Sequence, residues 1–358
     1  MTQKQWEAVN AVVDGQRLDK PLCGFIADSP WLPEWTGKAS ILDYYSSETV
    51  WLEANLTAVR TFPDAVFLPG FWSEFGMCTE PSAFGSRLIW HEHELPFAEP
   101  IARGSEKALV LAKPDVRTAG LLPFTLRRLV RMRPAIEAEG HVLRFAVARG
   151  PLNIASFLMG TTEFLMAMQL DPEGTHAMLA VITEFLEEWI QAQAVAVPTI
   201  RGVLLLDDIV GFLGPEDVER FAMPCLKRAF AAIDSDIRFF HNDAHGWCCA
   251  PYLAGAEINL FNFGFEHPIA EMRERVGPKV ALLGNIPPRD VLAAGTPEDV
   301  RRSVAAMRQA LGQDLTRVIF SCGGGLPPGV PTANLQAFLD EASCASGASR
   351  SGASPLLA

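Results

Sequence analysis

Eight short apolar runs, each passing into polar residues or glycine and each separated from the next by a longer segment, constrain this chain most. They are Leu22–Ala27, Asp64–Pro69, Val142–Ala148, Val203–Leu206, Ile237–Phe240, Ile258–Phe261, Val280–Leu283 and Val318–Ser321. Their length and their bounding Pro, Gly and Asp residues suit buried strands. Between them apolar residues recur at helical spacing, as in Ile41 to Phe62, Ile154 to Leu170 and Gly174 to Val197. Gly214-Pro-Glu-Asp217 and Thr296-Pro-Glu-Asp299 read as helix starts, and Ala333 to Ala342 as a closing helix. Strands alternating with helices predict an α/β chain folded as a (β/α)8 TIM barrel, one domain over residues 1–342. The Pro- and Gly-rich stretch from Gly70 to about Gly140 is expected to be loop elaboration, with a helix from Leu121 to Met132. A doubly wound open sheet uses the same elements, but no Gly-x-Gly-x-x-Gly follows the first run. Ser343 to Ala358, rich in Ser, Ala and Gly, is expected to be a disordered tail.

Barrel enzymes build their sites at the C-terminal ends of the strands, and the chemistry-bearing residues of this sequence fall there. Asp207, Asp208, His241, Asp243, Asn262, Asn285 and Cys322 each follow or end an apolar run. His241 and Asp243 lie two apart, so on an extended backbone both point to the same side and can share one proton or one metal. The alternative is that both bond loop backbone and start the next helix. Asp207 and Asp208 are adjacent, so only one of them can face the barrel mouth. Asp208, His241 and Asp243 are the expected catalytic residues. His245 joins them only if a helix has already begun at His241. Gly323 to Gly325 either let backbone approach a ligand or serve a turn that needs positive φ.

Composition narrows the functional classes. A net charge of −12 opposes nonspecific attraction to nucleic acid. The dense basic cluster Arg127, Arg128, Arg131 and Arg133 reads as a solvated helix face, or as a grip on an anionic tail. No run approaches a membrane span, and seven unevenly spaced cysteines do not form a disulfide framework. A cytoplasmic protein is expected.

Several motifs are similar to those of the uroporphyrinogen decarboxylase superfamily. They are Trp31-Leu-Pro-Glu-Trp35, Gly150-Pro-Leu-Asn153, Phe212-Leu-Gly-Pro215 with Phe221-Ala-Met-Pro224, Gly284-Asn285 with Gly295-Thr-Pro-Glu-Asp-Val300, and Gly323-Gly-Gly-Leu-Pro327. The resemblance implies a (β/α)8 barrel and either decarboxylation or methyl transfer between corrinoids, thiols and pterins. For decarboxylation it implies carboxylate-gripping arginines where this chain has Ile26 and Pro30. It also implies an aspartate at Phe71, a tyrosine at Phe157 and a histidine at Gly324. The methyltransferase branch fits more closely. There the resemblance implies zinc on a His-x-Cys pair and a last-turn cysteine. Here His241 matches the histidine, Asp243 replaces the cysteine, and Cys322 stands two residues before the last-turn position.

From this follow the remaining expectations: a metal, zinc in the resembled enzymes, on His241, Asp243 and Cys322; substrate contacts from Trp31, Phe71, Phe157, Asn285, Gly323 and Gly324. The expected activity is that of a methyltransferase or demethylase acting between a small methylated substrate or methyl-corrinoid and a corrinoid, thiol or folate. A corrinoid protein is an implied partner. A metal-free decarboxylase or lyase on a small substrate, and a non-catalytic binding subunit, are the alternatives.

Overall fold

The structure is a computed structural model that describes residues 1–37, 39–102, 104 and 107–344. Its centre is eight parallel strands: β1 Leu22–Ile26, β2 Val66–Leu68, β3 Phe145–Arg149, β4 Gly202–Leu206, β5 Ile237–Asn242, β6 Leu260–Phe263, β7 Ala281–Ile286 and β8 Val318–Cys322. They are hydrogen-bonded in the order β2-β1-β8-β7-β6-β5-β4-β3. Helices surround the sheet, and the whole is the (β/α)8 barrel that the alternation predicts. Between β2 and β3, the two ends of that order, no ladder pairing joins the described residues.

Strand periodicity decides which side chains reach the barrel's interior. Leu204 and Leu206 of β4, Ile237 and Phe239 of β5, Ala281 and Leu283 of β7 and Ile319 of β8 share one buried cluster. Their neighbours Val203, Leu205, Phe240, Leu282 and Phe320 pack in a second cluster with the helices. Carried one step further along each strand, the inward parity of β4 and β5 falls on Asp208 and His241. The same step along β1 and β3 falls on Asp28 and Arg149.

The N-terminal helix Gln3–Val13 has no counterpart in the sequence reading. Its N-cap Thr2 forms a capping box with Gln5. Trp6, Val9, Val12 and Val13 join the interior cluster, and Trp6 meets Phe145 edge-on at 5.6 Å.

Several boundaries move for local reasons. The helical stretch from Ile154 to Leu170 is two helices, Pro151–Met159 and Thr161–Leu170, parted by Gly160 at φ 98°. Ile41 to Phe62 breaks at Ser47, whose extended backbone and hydroxyl cap the helix Glu48–Thr61. β6 begins two residues later than expected, because the amide of Ile258 bonds the Leu253 carbonyl after a turn through Glu257 at φ 61°. Asn262 therefore lies within the strand. The elaborated stretch contains the helix Leu122–Ala138, a hairpin of Leu88–Ile89 with Phe97–Ala98, and the short helix Thr79–Ala83. The closing helix Thr332–Ser343 takes in the first residue of the expected tail, and residues 345–358 lie outside the described residues.

Candidate active site

A cavity of about 570 Å³ opens at the C-terminal ends of the strands, lined by Asp28, Glu74, Arg149, Asp208, His241 and Asp243 among others. Ile26, Ile41, Met77, Leu95 and Leu326 make up much of the rest. The parity of the strands accounts for Asp28, Arg149, Asp208 and His241. Asp243 stands just beyond β5, where its amide donates to Asp208 Oδ1 at 3.1 Å.

His241 is buried, and its hydrogen bonds fix its tautomer. Asn262 spends its amide hydrogens on the carbonyls of Leu283 (2.8 Å) and Cys322 (3.3 Å). Its Oδ1 therefore faces His241 Nδ1, at 2.8 Å, and accepts that proton. The Nε2 lone pair is left to face two carboxylates, Asp208 Oδ1 at 3.7 Å and Asp243 Oδ2 at 3.8 Å. The three residues present ligand atoms within 4.8 Å of one another. An imidazole anchored through one nitrogen and open at the other, beside two acids, fits a divalent cation. The same set also holds a shared proton. Burial pushes the Asp208 carboxyl up; His241 opposes this and Asp243 adds to it.

Opposite stands a charged group that the sequence reading missed. Arg149 Nη2 donates to Glu74 Oε2 at 2.7 Å, with both side chains buried. Glu80 Oε1 accepts from the Arg149 backbone amide. Burial pushes Asp28 up to about 6 and Glu74 well above its ordinary range, in each case against the pull of Arg149. Burial also raises Glu80, again against Arg149. Burial alone lowers Arg149, but Glu74, Glu80 and Asp28 together hold it above the ordinary value. Glu74 Oε1 is buried and has no hydrogen-bond partner. One guanidinium facing three carboxylates leaves the cavity acidic. For Asp28 and Arg149 the signal was legible, since each stands two residues past an inward apolar residue. Glu74 and Glu80 come from the elaborated stretch, which has no periodicity to place them.

Of the other expected residues, Gly324 lies beside the triad: a Cβ there would meet Asp243 Oδ2 at 2.8 Å. Gly323 packs instead on the backbone of Gly264 and Phe265. Asn285 is not among the cavity-lining residues; it donates to the carbonyls of His267 (2.7 Å) and Gly264 (3.2 Å), so it ties loops together. Three of the expected aromatic residues are absent from the cavity lining. Trp31 is fully buried, stacked on Trp35 at 4.6 Å and bonded through Nε1 to the Val330 carbonyl. Phe71 packs edge-on against Trp51 and His141 near the β2/β3 seam. Phe157 is half-buried on its helix and does not line the cavity.

Cys322 lies apart from the three converging groups. It follows the inward Ser321, so it points to the barrel's outer side, where its thiol donates to the Gly324 carbonyl at 3.4 Å. Burial pushes that thiol up to about 12. Among the described residues, the groups whose potential ligand atoms come together are Asp208, His241 and Asp243, without Cys322. His245 is half-exposed and faces Glu266 and His267.

Residues 7–343 match the profile of the family described as uroporphyrinogen decarboxylase (URO-D). The chain belongs to the uroporphyrinogen decarboxylase family. Relatives named uroporphyrinogen decarboxylase include one from Thioalkalivibrio sulfidiphilus, 26% identical over 329 residues, covering 87% of this chain and 89% of the relative. Another, from Photobacterium profundum, is 26% identical over 333 residues, 87% of this chain and 88% of its own. Among solved structures, a methyltransferase from Methanosarcina mazei superposes with a TM-score of 0.76 at 16% identity, covering 93% of this chain and 96% of that one. A B12-independent methionine synthase from Shewanella sp. W3-18-1 gives a TM-score of 0.52 at 11% identity, covering 91% and 96%. These two likenesses show the fold alone. The family profile and the relatives cited here are named for an enzyme, uroporphyrinogen decarboxylase.

Proposed function

We propose that this chain is a methyltransferase or demethylase acting on a small substrate, with a divalent metal held by Asp208, His241 and Asp243. The observation that carries the reading is the open Nε2 of His241 facing the two carboxylates at 3.7 and 3.8 Å. Zinc suits an N/O donor set of this kind, although oxygen-rich sites also take harder ions. When bound there, the metal supplies a Lewis acid that polarises an oxygen or sulfur of the substrate. Asn262 holds the imidazole in the ligating tautomer. Asp208 and Asp243 supply the negative charge that a cation requires. Ile26, Met77, Leu95 and Leu326 line the same cavity and give the methyl group an apolar seat. A corrinoid, thiol or folate takes or gives the methyl group, and a corrinoid protein is the partner that the first of these brings.

A second reading rests on the carboxyls of Asp28, Glu74 and Asp208, each of which burial pushes up from its ordinary value. In it the site is a metal-free lyase with Asp208 as general acid. Elemental analysis of purified protein separates the two. About one metal per chain is expected, lost in His241→Ala and retained in Asp243→Cys, while Asn262→Ala should weaken metal affinity by about 10–100-fold. An equal metal content in parent and His241→Ala would overturn the metal reading.

A further inference from the structure

Away from the barrel mouth, Arg127, Arg128 and Arg131 line a cavity of about 650 Å³ together with Ser47, Thr49 and Phe75. The arginines stand on the helix Leu122–Ala138, and Ser47 to Thr49 form the first turn of the 14-residue helix Glu48–Thr61. In a chain of net charge −12 this is a local excess of positive charge. Glu48 is the acid of the cavity wall, and it is engaged with Arg131 at 3.1 Å. Arg127 forms no ion pair among the described residues. Arg128 is the unusual member. It is 4% exposed, lies over the rings of Phe75 (4.9 Å) and Trp51 (5.7 Å), and donates from Nη2 to the Tyr45 carbonyl. Its Nη1 is buried with no partner. Two aromatic faces compensate part of the cost of burying this cation, yet they accept no hydrogen bond from Nη1.

From the unpaired Nη1, the free Arg127 and the helix start beside them, we infer that this cavity is a binding site for a phosphate group. Phosphate fits better than a single carboxylate because it offers three acceptor oxygens to donors carried on separate elements. Arg127 and Arg128 line the cavity from one helix, and the start of Glu48–Thr61, whose Val50 amide is already bonded to Ser47 Oγ, lines it from the other. Arg131, held by Glu48, sets the cavity's edge. The site is separate from the Asp208, His241 and Asp243 set and does not depend on the reaction assigned there.

Calorimetric titration of the full chain with inorganic phosphate, against chloride at matched ionic strength, tests this. One saturable site is expected. Arg127→Ala, an exposed change that leaves the core intact, should weaken it at least about tenfold, the worth of a charge-assisted hydrogen bond. Arg128→Lys, a buried change that keeps the charge but removes the fork, should weaken it as well. His241→Ala should leave it unchanged. A parallel titration with AMP separates two sources of the same group. Tighter phosphate marks the free ion, and tighter AMP marks the phosphate end of a larger ligand; both support the site. The proposal is overturned if neither compound binds saturably, if Arg127→Ala binds as the parent does, or if His241→Ala abolishes binding, which would place the anion in the barrel cavity.

Discussion

Arg149 stands at the end of β3 as one cation among Glu74, Glu80 and Asp28, so its removal strands buried carboxylates. Breaking a buried pair by deleting one partner costs about 3–5 kcal/mol, and Arg149→Ala should lose stability on that scale. Glu74 can escape the penalty by taking up a proton. The loss should therefore be largest in alkaline buffer and shrink as pH falls, which denaturant melts at about pH 8 and about pH 5 will measure. An unchanged midpoint at the higher pH would deny the pair its structural role. Asp28 carries the complementary prediction. Its folded value of about 6 lies above the ordinary 3.8. Between those values the folded chain keeps a proton that the unfolded chain has released. The contribution of Asp28 is thus fully present below the lower value and lost as pH rises through the upper one. Asp28→Asn should flatten that decline and raise Tm by a few degrees above neutral pH, with little change in acid. Both residues were legible in principle. The alternation through Phe145 and Val147 points to Arg149, and that through Ile26 points to Asp28, but Asp28 reads as the bound of the first run and Arg149 falls just past the end of the third. Glu74 was not legible, because its place is set by tertiary contacts of an aperiodic segment.

At the scale of elements, the ends of β4 and β5 divide their acids between structure and chemistry. Asp208 shares the inward parity of Leu204 and Leu206 and faces the cavity. Asp207 points the other way, and its two oxygens each accept an amide, from Leu152 and Asn153 at 2.9 Å. It thereby caps the helix Pro151–Met159 from a neighbouring strand. Gly150 completes the arrangement, since a Cβ there would lie 2.3 Å from Asp207 Oδ2. Burial pushes the Asp207 carboxyl well up, while the two amides act in the opposite direction. Asp207→Ala should cost about 0.5–2 kcal/mol, the usual worth of an N-cap, and Asp207→Asn less because one acceptor remains. Thermal unfolding measures both, and metal content should stay at the parent level because the side chain lies outside the cavity. The adjacency of Asp207 and Asp208 showed that one must face away, and the inward or outward sense came from the barrel. The strands themselves were legible because short apolar runs with period-two partners have few other uses. Helix breaks at Gly160 and Ser47 were not, since apolar spacing continues across both.

For the molecule as a whole, charge and fold bear on the substrate in opposite ways. Family membership and the 26% identity to relatives named uroporphyrinogen decarboxylase favour that reaction. The cavity opposes it. Asp28, Glu74, Glu94, Asp208 and Asp243 line it, against Arg149, already paired with Glu74, and Arg289. A tetrapyrrole bearing many carboxylates would bring further negative charge into this acidic, partly apolar space inside a chain of net charge −12. Like charges at close range cost several kcal/mol when desolvated, and Ile26 and Pro30 provide no compensating cations. The expected outcome is that purified protein, with or without added zinc, does not decarboxylate uroporphyrinogen above the uncatalysed background. Product analysis by chromatography checks this. Turnover at ordinary enzyme rates of about 1 s⁻¹ or faster would show that the carboxylates find partners elsewhere, and would remove the electrostatic argument for a small substrate.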